Sequence, residues 1–317
     1  MVSEMERFDM SPPATKVSFT VNVCNSDAPY LEQTLRHMFS ALNFPFYEKR
    51  VAYDPGRQEG KYAERIQGSQ NVVEGILQRL MDEKAIDHID VIPWNKAEQN
   101  RILTHYFGRD DIDLKDFSGA PIYQYLYALD LCSGDYIFHV DSDMLFYRST
   151  ERSWIYDGLD MLQREPRAIV STPNGGPPQA RNWLERLTGH SFAAKPKTDW
   201  HVASFTSTRY FLMDKAKFNA CLPLQQSRAG EPLENSLSHT FTQKGYQRWS
   251  MNGYKHWAIH PWKHDENYVR YLNDLIWAVE NGLYPFRRTG YQWDMRTDGK
   301  LINEWLVVLR AHGRALD

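Results

Sequence analysis

The chain has 317 residues, long enough for one extended domain or two smaller ones, and its 42% hydrophobic and 24% charged residues are ordinary for a globular protein. A formal net charge of −3 argues against nucleic acid or an anionic membrane as partner. Three widely spaced cysteines (Cys24, Cys132 and Cys221) suggest neither a disulfide framework nor a zinc knuckle, no apolar run reaches the length of a bilayer span, and Met1 to Lys16 has no signal-peptide core, so a cytoplasmic location is expected.

The predicted elements alternate. Residues 1–15 are polar, with Pro12-Pro13, and read as a loose lead-in. Val17 to Val23 is a β-rich first strand. Asn25-Ser26-Asp27 reads as a turn, with Asp27 expected to cap a helix whose apolar positions Leu31, Leu35, Met38, Phe39 and Leu42 keep helical spacing. Lys49 to Tyr53 is the second strand, broken at Asp54-Pro55-Gly56. A second helix runs through Val72, Val73, Ile76, Leu77, Leu80 and Met81, and His88 to Pro93 is the third strand. Asn95 to Lys115 reads as a helix followed by an exposed loop. Gly119 to Cys132 reads as a helix with Ser118 as its cap and Tyr125, Leu126 and Leu129 facing in.

Tyr136 to Val140 is a short apolar, aromatic and β-branched run, a buried strand. A helix from about Glu151 to Arg164 and a strand at Ala168 to Thr172 follow. Such alternation argues for an α/β fold with a mostly parallel sheet covered on both faces. Pro173 to Pro178 then opens a strand-poor region, and the stretch Pro173 to Thr198 is expected to contribute a mobile lid. Beyond it come a strand at Arg209 to Met213, a helix at Glu234 to Lys244 ending at Gly245, strands at Tyr246 to Met251 and Lys255 to Ile259, and one helix from Asn267 to Glu280 closing at Gly282. The apolar run Trp305 to Leu309 has no assignment.

The chemistry concentrates where the central strand ends, at Asp141-Ser142-Asp143. A strand that stops there places two carboxylates at the sheet's C-terminal edge, where open α/β sheets bind ligands. Hard oxygen ligands suit Mg²⁺ or Mn²⁺, which in turn can hold a diphosphate. The bland alternative is a solvated turn, since Asp-x-Asp is common by chance.

Three segments together are similar to one family. Val17 to Asn25 with Tyr30 to Leu35 resembles the opening strand and helix of GT-A glycosyltransferases of the family 2 kind, although Asn22 and Cys24 stand where that opening carries proline and tyrosine. Gly119 to Asp143 resembles the family's central block, in which a helix, a Gly-Asp-Tyr turn and a strand lead into Asp-x-Asp. Leu233-Glu234-Asn235-Ser236-Leu237 with Gly245-Tyr246 resembles the acceptor-side helix that holds the catalytic acid. The resemblance implies a single GT-A domain over residues 16–317, with a nucleotide-sugar half at 16–145 and an acceptor-side half at 146–317. It also implies transfer of a hexose from a nucleoside diphosphate sugar, UDP-type favoured, to a hydroxyl of a glycan or small molecule, with inversion.

For the site residues, the resemblance implies Asp143 as direct metal ligand and Asp141 nearer the ribose or bound through water. A C-terminal histidine is expected as a further ligand; among His256, His260 and His264, the choice falls on His260, which ends an apolar pair and precedes Pro261. Asn22, Cys24, Asn25, Asp54 and Gly119 are expected on the donor side, with Asp54 equally readable as a turn residue. Glu234 is the expected general base and Glu231 the second candidate, although acids in a first helical turn also serve the helix dipole. A retaining transferase stays open. A sugar nucleotidyltransferase is disfavoured because Val23-Cys24-Asn25-Ser26 holds no glycine, and a carbohydrate-binding module has no need of Asp-x-Asp at a parallel strand end.

Overall fold

The computed structural model describes residues 15–56, 68–148, 152–178, 199–253, 255–286 and 293–314. The lead-in at 1–14 and the part of the expected lid at 179–198 lie outside the described residues. Strict alternation makes β1 (Val17–Cys24): Val17, Phe19, Val21 and Val23 enter one hydrophobic layer, and Ser18, Thr20, Asn22 and Cys24 face the other side of the sheet. α1 (Leu31–Leu42) returns the chain to β2 (Glu48–Asp54), and α2 (Gln70–Asp82) returns it to β3 (His88–Val91), each strand parallel to the one before. α3 (Lys96–Phe107) is capped by Asn95, whose side chain accepts from the Glu98 N–H at 3.0 Å. α4 (Tyr123–Asp130) then leads into β4 (Tyr136–Asp141), which pairs with the free side of β1. The order of these four strands therefore reverses between β1 and β4, and a crevice opens beyond their C-terminal ends.

The second half completes the sheet. β5 (Leu145–Arg148) leaves it, α5 (Trp154–Arg164) crosses back, and β6 (Ala168–Thr172) and the two-residue β7 (Asn174–Gly175) follow. Next come β8 (Trp200–Ala203), β9 (Tyr210–Asp214), α6 (Lys215–Cys221), α7 (Leu233–Gln243) and β10 (Gln247–Met251). The eight strands run in the order β3-β2-β1-β4-β9-β6-β10-β8, parallel except for β9 and β8. A small sheet forms around β11 (His256–Pro261), which pairs with β5, β7 and, after α8 (Glu266–Arg270) and α9 (Leu272–Glu280), with β12 (Asp294–Met295). α10 (Ile302–Ala311) closes the described chain.

Three cores result. α1, α2 and α5 cover one face of the large sheet, α3, α4, α6 and α7 the other, and α8 to α10 pack on the small sheet. Several expectations change. The helix expected over 267–280 is two helices broken at Tyr271, and the unassigned run is part of α10, with Trp305 and Leu309 fully buried. Asp27 does not cap α1, whose N-cap residue is Tyr30, and Ser118 does not cap α4. Instead Asp116 accepts from the backbone N–H groups of Ser118 and Ala120, each at 2.8 Å, and shapes the loop before α4. β5, β7 and β12 are too short to leave a period in the sequence.

Glu48 ties the sheet to the turn before β4. Burial raises the pKa of its carboxyl, but hydrogen bonds from Ser18, the Ser133 N–H and Arg50 outweigh this and bring it down from 4.5 to about 2. A carboxylate whose folded pKa is depressed stabilises the fold above its unfolded pKa and loses that contribution as pH falls toward the folded one. The stabilisation from Glu48 is thus complete above pH 4.5 and fades toward pH 2. Glu48→Gln is expected to cost about 1–3 kcal/mol at neutral pH and to flatten the acid limb of stability against pH, as checked by denaturant melts across that window.

Candidate functional site

At the switch between β1 and β4 lies an open cleft, walled by the strand ends, by Ala52, Asp54 and Ile92 at the next strands, and by Pro121, Gln124 and Tyr125 from the start of α4. The Asp-Ser-Asp turn forms its floor, and all three residues have fixed roles. Tyr125 donates to Asp141 Oδ1 at 2.5 Å, so a ring expected in the core instead orients the first carboxylate. His139, fully buried between Tyr125 and Phe211, sets its Nε2 3.7 Å behind the same oxygen. Ser142 donates to Asp27 at 2.8 Å. Asp27 also accepts from the Cys24 N–H at 3.0 Å and the Tyr30 hydroxyl at 2.6 Å, so one buried carboxylate joins the end of β1 to the turn after β4.

Asp143 meets His264, with Nε2 2.9 Å from Oδ2, and both side chains are nearly buried. The imidazole is stacked on Tyr30, with ring centroids 4.6 Å apart, and touches the Tyr268 ring edge-on. Burial pushes the Tyr268 hydroxyl well above its ordinary range, and the nearby Asp143 and Asp27 carboxylates push it the same way. Of the three histidines considered in the sequence, the structure thus brings His264, not His260, to Asp143. His260 has one ring nitrogen on the Pro261 carbonyl at 2.8 Å and the other on Asp294 at 2.5 Å, beside Arg209. His256 is buried in the small sheet, where burial, with Lys255 and Arg148 nearby, lowers its pKa to about 4. Among the described residues no three His, Cys, Asp or Glu side chains gather into a metal cage.

On the opposite wall, Asp54 makes its own turn by accepting the Gly56 N–H at 2.8 Å and is also gripped by Trp94 Nε1 at 3.0 Å and by Gln124. Asp54 therefore shapes the turn and also lines the cleft. Asn22 lines the cleft, and neither of its buried amide atoms is hydrogen-bonded. Cys24 is also in the wall. Asn25 braces the rim by accepting from Tyr53 and donating to the Pro55 carbonyl, at 2.6 and 2.8 Å. Gly119 is outside the wall; its φ of +85°, open to glycine at no steric cost, turns the chain so that Pro121 enters it.

A second cavity begins at Met144, on the other side of the Asp-Ser-Asp turn. It is bounded by Asn174, Gly175, the chain from His201 to Tyr210, Arg248, His260 and Trp293. The Asp141 N–H donates to the Arg209 carbonyl at 2.7 Å, so the two cavities share that strand junction. Glu234 and Glu231 line neither. Glu231 is buried, accepting from the Ser227 N–H at 2.8 Å and the Ser236 hydroxyl at 2.9 Å. Glu234 is partly exposed and accepts at 2.7 Å from Thr208, the residue before Arg209.

No family model and no curated protein sequence matches this chain. Solved structures do. GalNAc-T7, crystallised with UDP, GalNAc and Mn²⁺, superposes with a TM-score of 0.50 at 11% identity, over 80% of this chain and 45% of its own. TarS of S. aureus superposes at 0.41 and 13% identity, over 82% of this chain and 39% of its own. The chain thus spans less than half the length of these two proteins. At such identity the likeness to GalNAc-T7 shows the fold: this is a GT-A fold, with a large, mostly parallel sheet flanked by helices. Among the described residues no helix is long and apolar enough to cross a membrane.

Proposed function

We propose that the chain is a glycosyltransferase that moves a sugar from a nucleoside diphosphate donor, UDP-type favoured, to an acceptor hydroxyl, with Mn²⁺ or Mg²⁺ on the diphosphate and inversion at the anomeric carbon. The observation that carries this reading is the charge of the first cleft. Its wall contains Asp27, Asp54, Asp141 and Asp143 and, among the described residues, no lysine or arginine. A diphosphate fits such a wall only in company with a cation. The presence of UDP and Mn²⁺ in the GalNAc-T7 structure favours the same donor and metal.

Asp143 and His264 would hold the ion. One carboxylate and one imidazole suit Mn²⁺ better than Mg²⁺, and such ions commonly complete their shell with phosphate oxygens and water, so two side chains suffice. When bound, the ion neutralises the charge that develops on the leaving diphosphate. Asp141, oriented by Tyr125, would face the ribose, and Asn22, Cys24 and Asp54 would receive the base. Residues 16–145 would hold the donor and 146–317 the acceptor. Glu234 is the proposed base, because it is the partly exposed acid next to the second cavity; buried Glu231 supports the start of α7 instead. Incubation with UDP-, GDP- and dTDP-sugars and Mn²⁺, read by mass spectrometry, is expected to show slow donor hydrolysis that chelation abolishes. Hydrolysis of every donor at the same rate after chelation would contradict the proposal.

A further inference from the structure

The second cavity holds an arginine, Arg248, that meets no carboxylate among the described residues. Arg248 stands on β10 between Val170 of β6 and Ala203 of β8, a position where its stem is walled by the sheet. One terminal nitrogen donates to the Phe205 carbonyl and the other to Thr172 Oγ1 at 3.1 Å, both neutral acceptors. Its Nε is buried with no partner. Among the described residues no carboxylate lies within ion-pair distance of it. Burial lowers its pKa, and Tyr210 opposes the change. A buried guanidinium is costly without an anion, and its fork is shaped for a planar carboxylate or a phosphate.

The rest of the cavity fits a small polar molecule rather than a core defect. Arg209, about half exposed, already faces Asp294 at 3.6 Å, and Asp294 also answers His260, so among the described residues these charges answer one another and leave Arg248 as the surplus. Trp293 is exposed and packs against Gly175, where a Cβ would meet its ring at 2.7 Å, so glycine makes room for an indole at the opening. An exposed indole, apolar with a polar N–H, suits a ligand that is part apolar and part polar, as a sugar ring is. Met144 places the cavity one residue past Asp143.

We propose that this cavity is the acceptor subsite and that it selects acceptors bearing a carboxylate or a phosphate, which binds Arg248. The inference rests on the transferase reading of the first cleft and adds the substrate class to it. Binding of glucuronate, glucose 6-phosphate and neutral glucose is compared by ligand-observed NMR on the full chain, without donor, for wild type, R248M and R248K. At least one of the two anions is expected to bind with Kd on the order of 1 mM or tighter and glucose more weakly, R248M to lose about 10-fold or more, and R248K to keep part of the affinity. The anion that binds identifies the acceptor class. Equal binding of the anions and glucose by wild type, or equal anion binding by wild type and R248M, overturns the proposal. Titration with UDP and Mn²⁺ on the same samples separates the two readings. Retained UDP binding with no anion preference sinks only the acceptor inference, whereas no UDP binding in wild type sinks the donor reading beneath it.

Discussion

Asp143→Asn is expected to weaken Mn²⁺-dependent donor binding by about 100-fold or more and to lower transfer at least as far, while leaving the melting temperature within a few degrees of wild type. The asparagine keeps the shape of the side chain and an oxygen toward His264, but removes the charge that a divalent ion needs. The acid is nearly buried and meets His264 at 2.9 Å. Because the amide is nearly isosteric with the carboxylate, the structural cost is expected to be small. His264→Ala should act in the same direction more weakly, because the carboxylate remains. Normal Mn²⁺-dependent affinity in both variants would mean that the ion, if any, sits elsewhere.

Glu234→Gln is expected to lower transfer by roughly 10²–10⁴-fold with donor affinity unchanged, since loss of a general base removes proton acceptance and little else. Glutamine can still accept from Thr208, so the contact at the start of α7 survives. A role confined to the helix dipole predicts the reverse: a stability loss below about 1 kcal/mol and normal turnover. Glu231→Gln supplies the contrast. That carboxylate is buried under Ser227 and Ser236, and its replacement should lower stability more than rate. Turnover, donor affinity and melting temperature on the same three samples distinguish the roles.

The residues that the sequence made legible are those that a period or a short motif exposes. The alternation in Val17–Cys24, the apolar run before Asp141 and the helical spacing from Leu31 to Leu42 led to β1, β4 and α1 within a residue, and thus to the switch point that carries the cleft. What stayed hidden depends on tertiary partners. Tyr125 has the spacing of a core residue, yet α4 crosses the sheet where its hydroxyl reaches Asp141. Asp27 reads as a cap because capping is local, whereas its partner Ser142 is 115 residues away. The choice between His260 and His264 turned on a strand end, but β11 runs on through Pro261 and β12 supplies Asp294 to His260. His264 meets Asp143 while stacked on Tyr30, a partner more than 230 residues away in the chain. The break at Tyr271 had no proline or glycine to mark it.

The central claim is that an acid-walled cleft becomes a diphosphate site through a divalent ion held by Asp143 and His264. Calorimetric titration of the wild-type chain with UDP, with and without Mn²⁺, tests it directly. Affinity is expected to tighten by about 10-fold or more when Mn²⁺ is present, an effect lost in Asp143→Asn. UDP affinity that is equal with and without Mn²⁺ would contradict it.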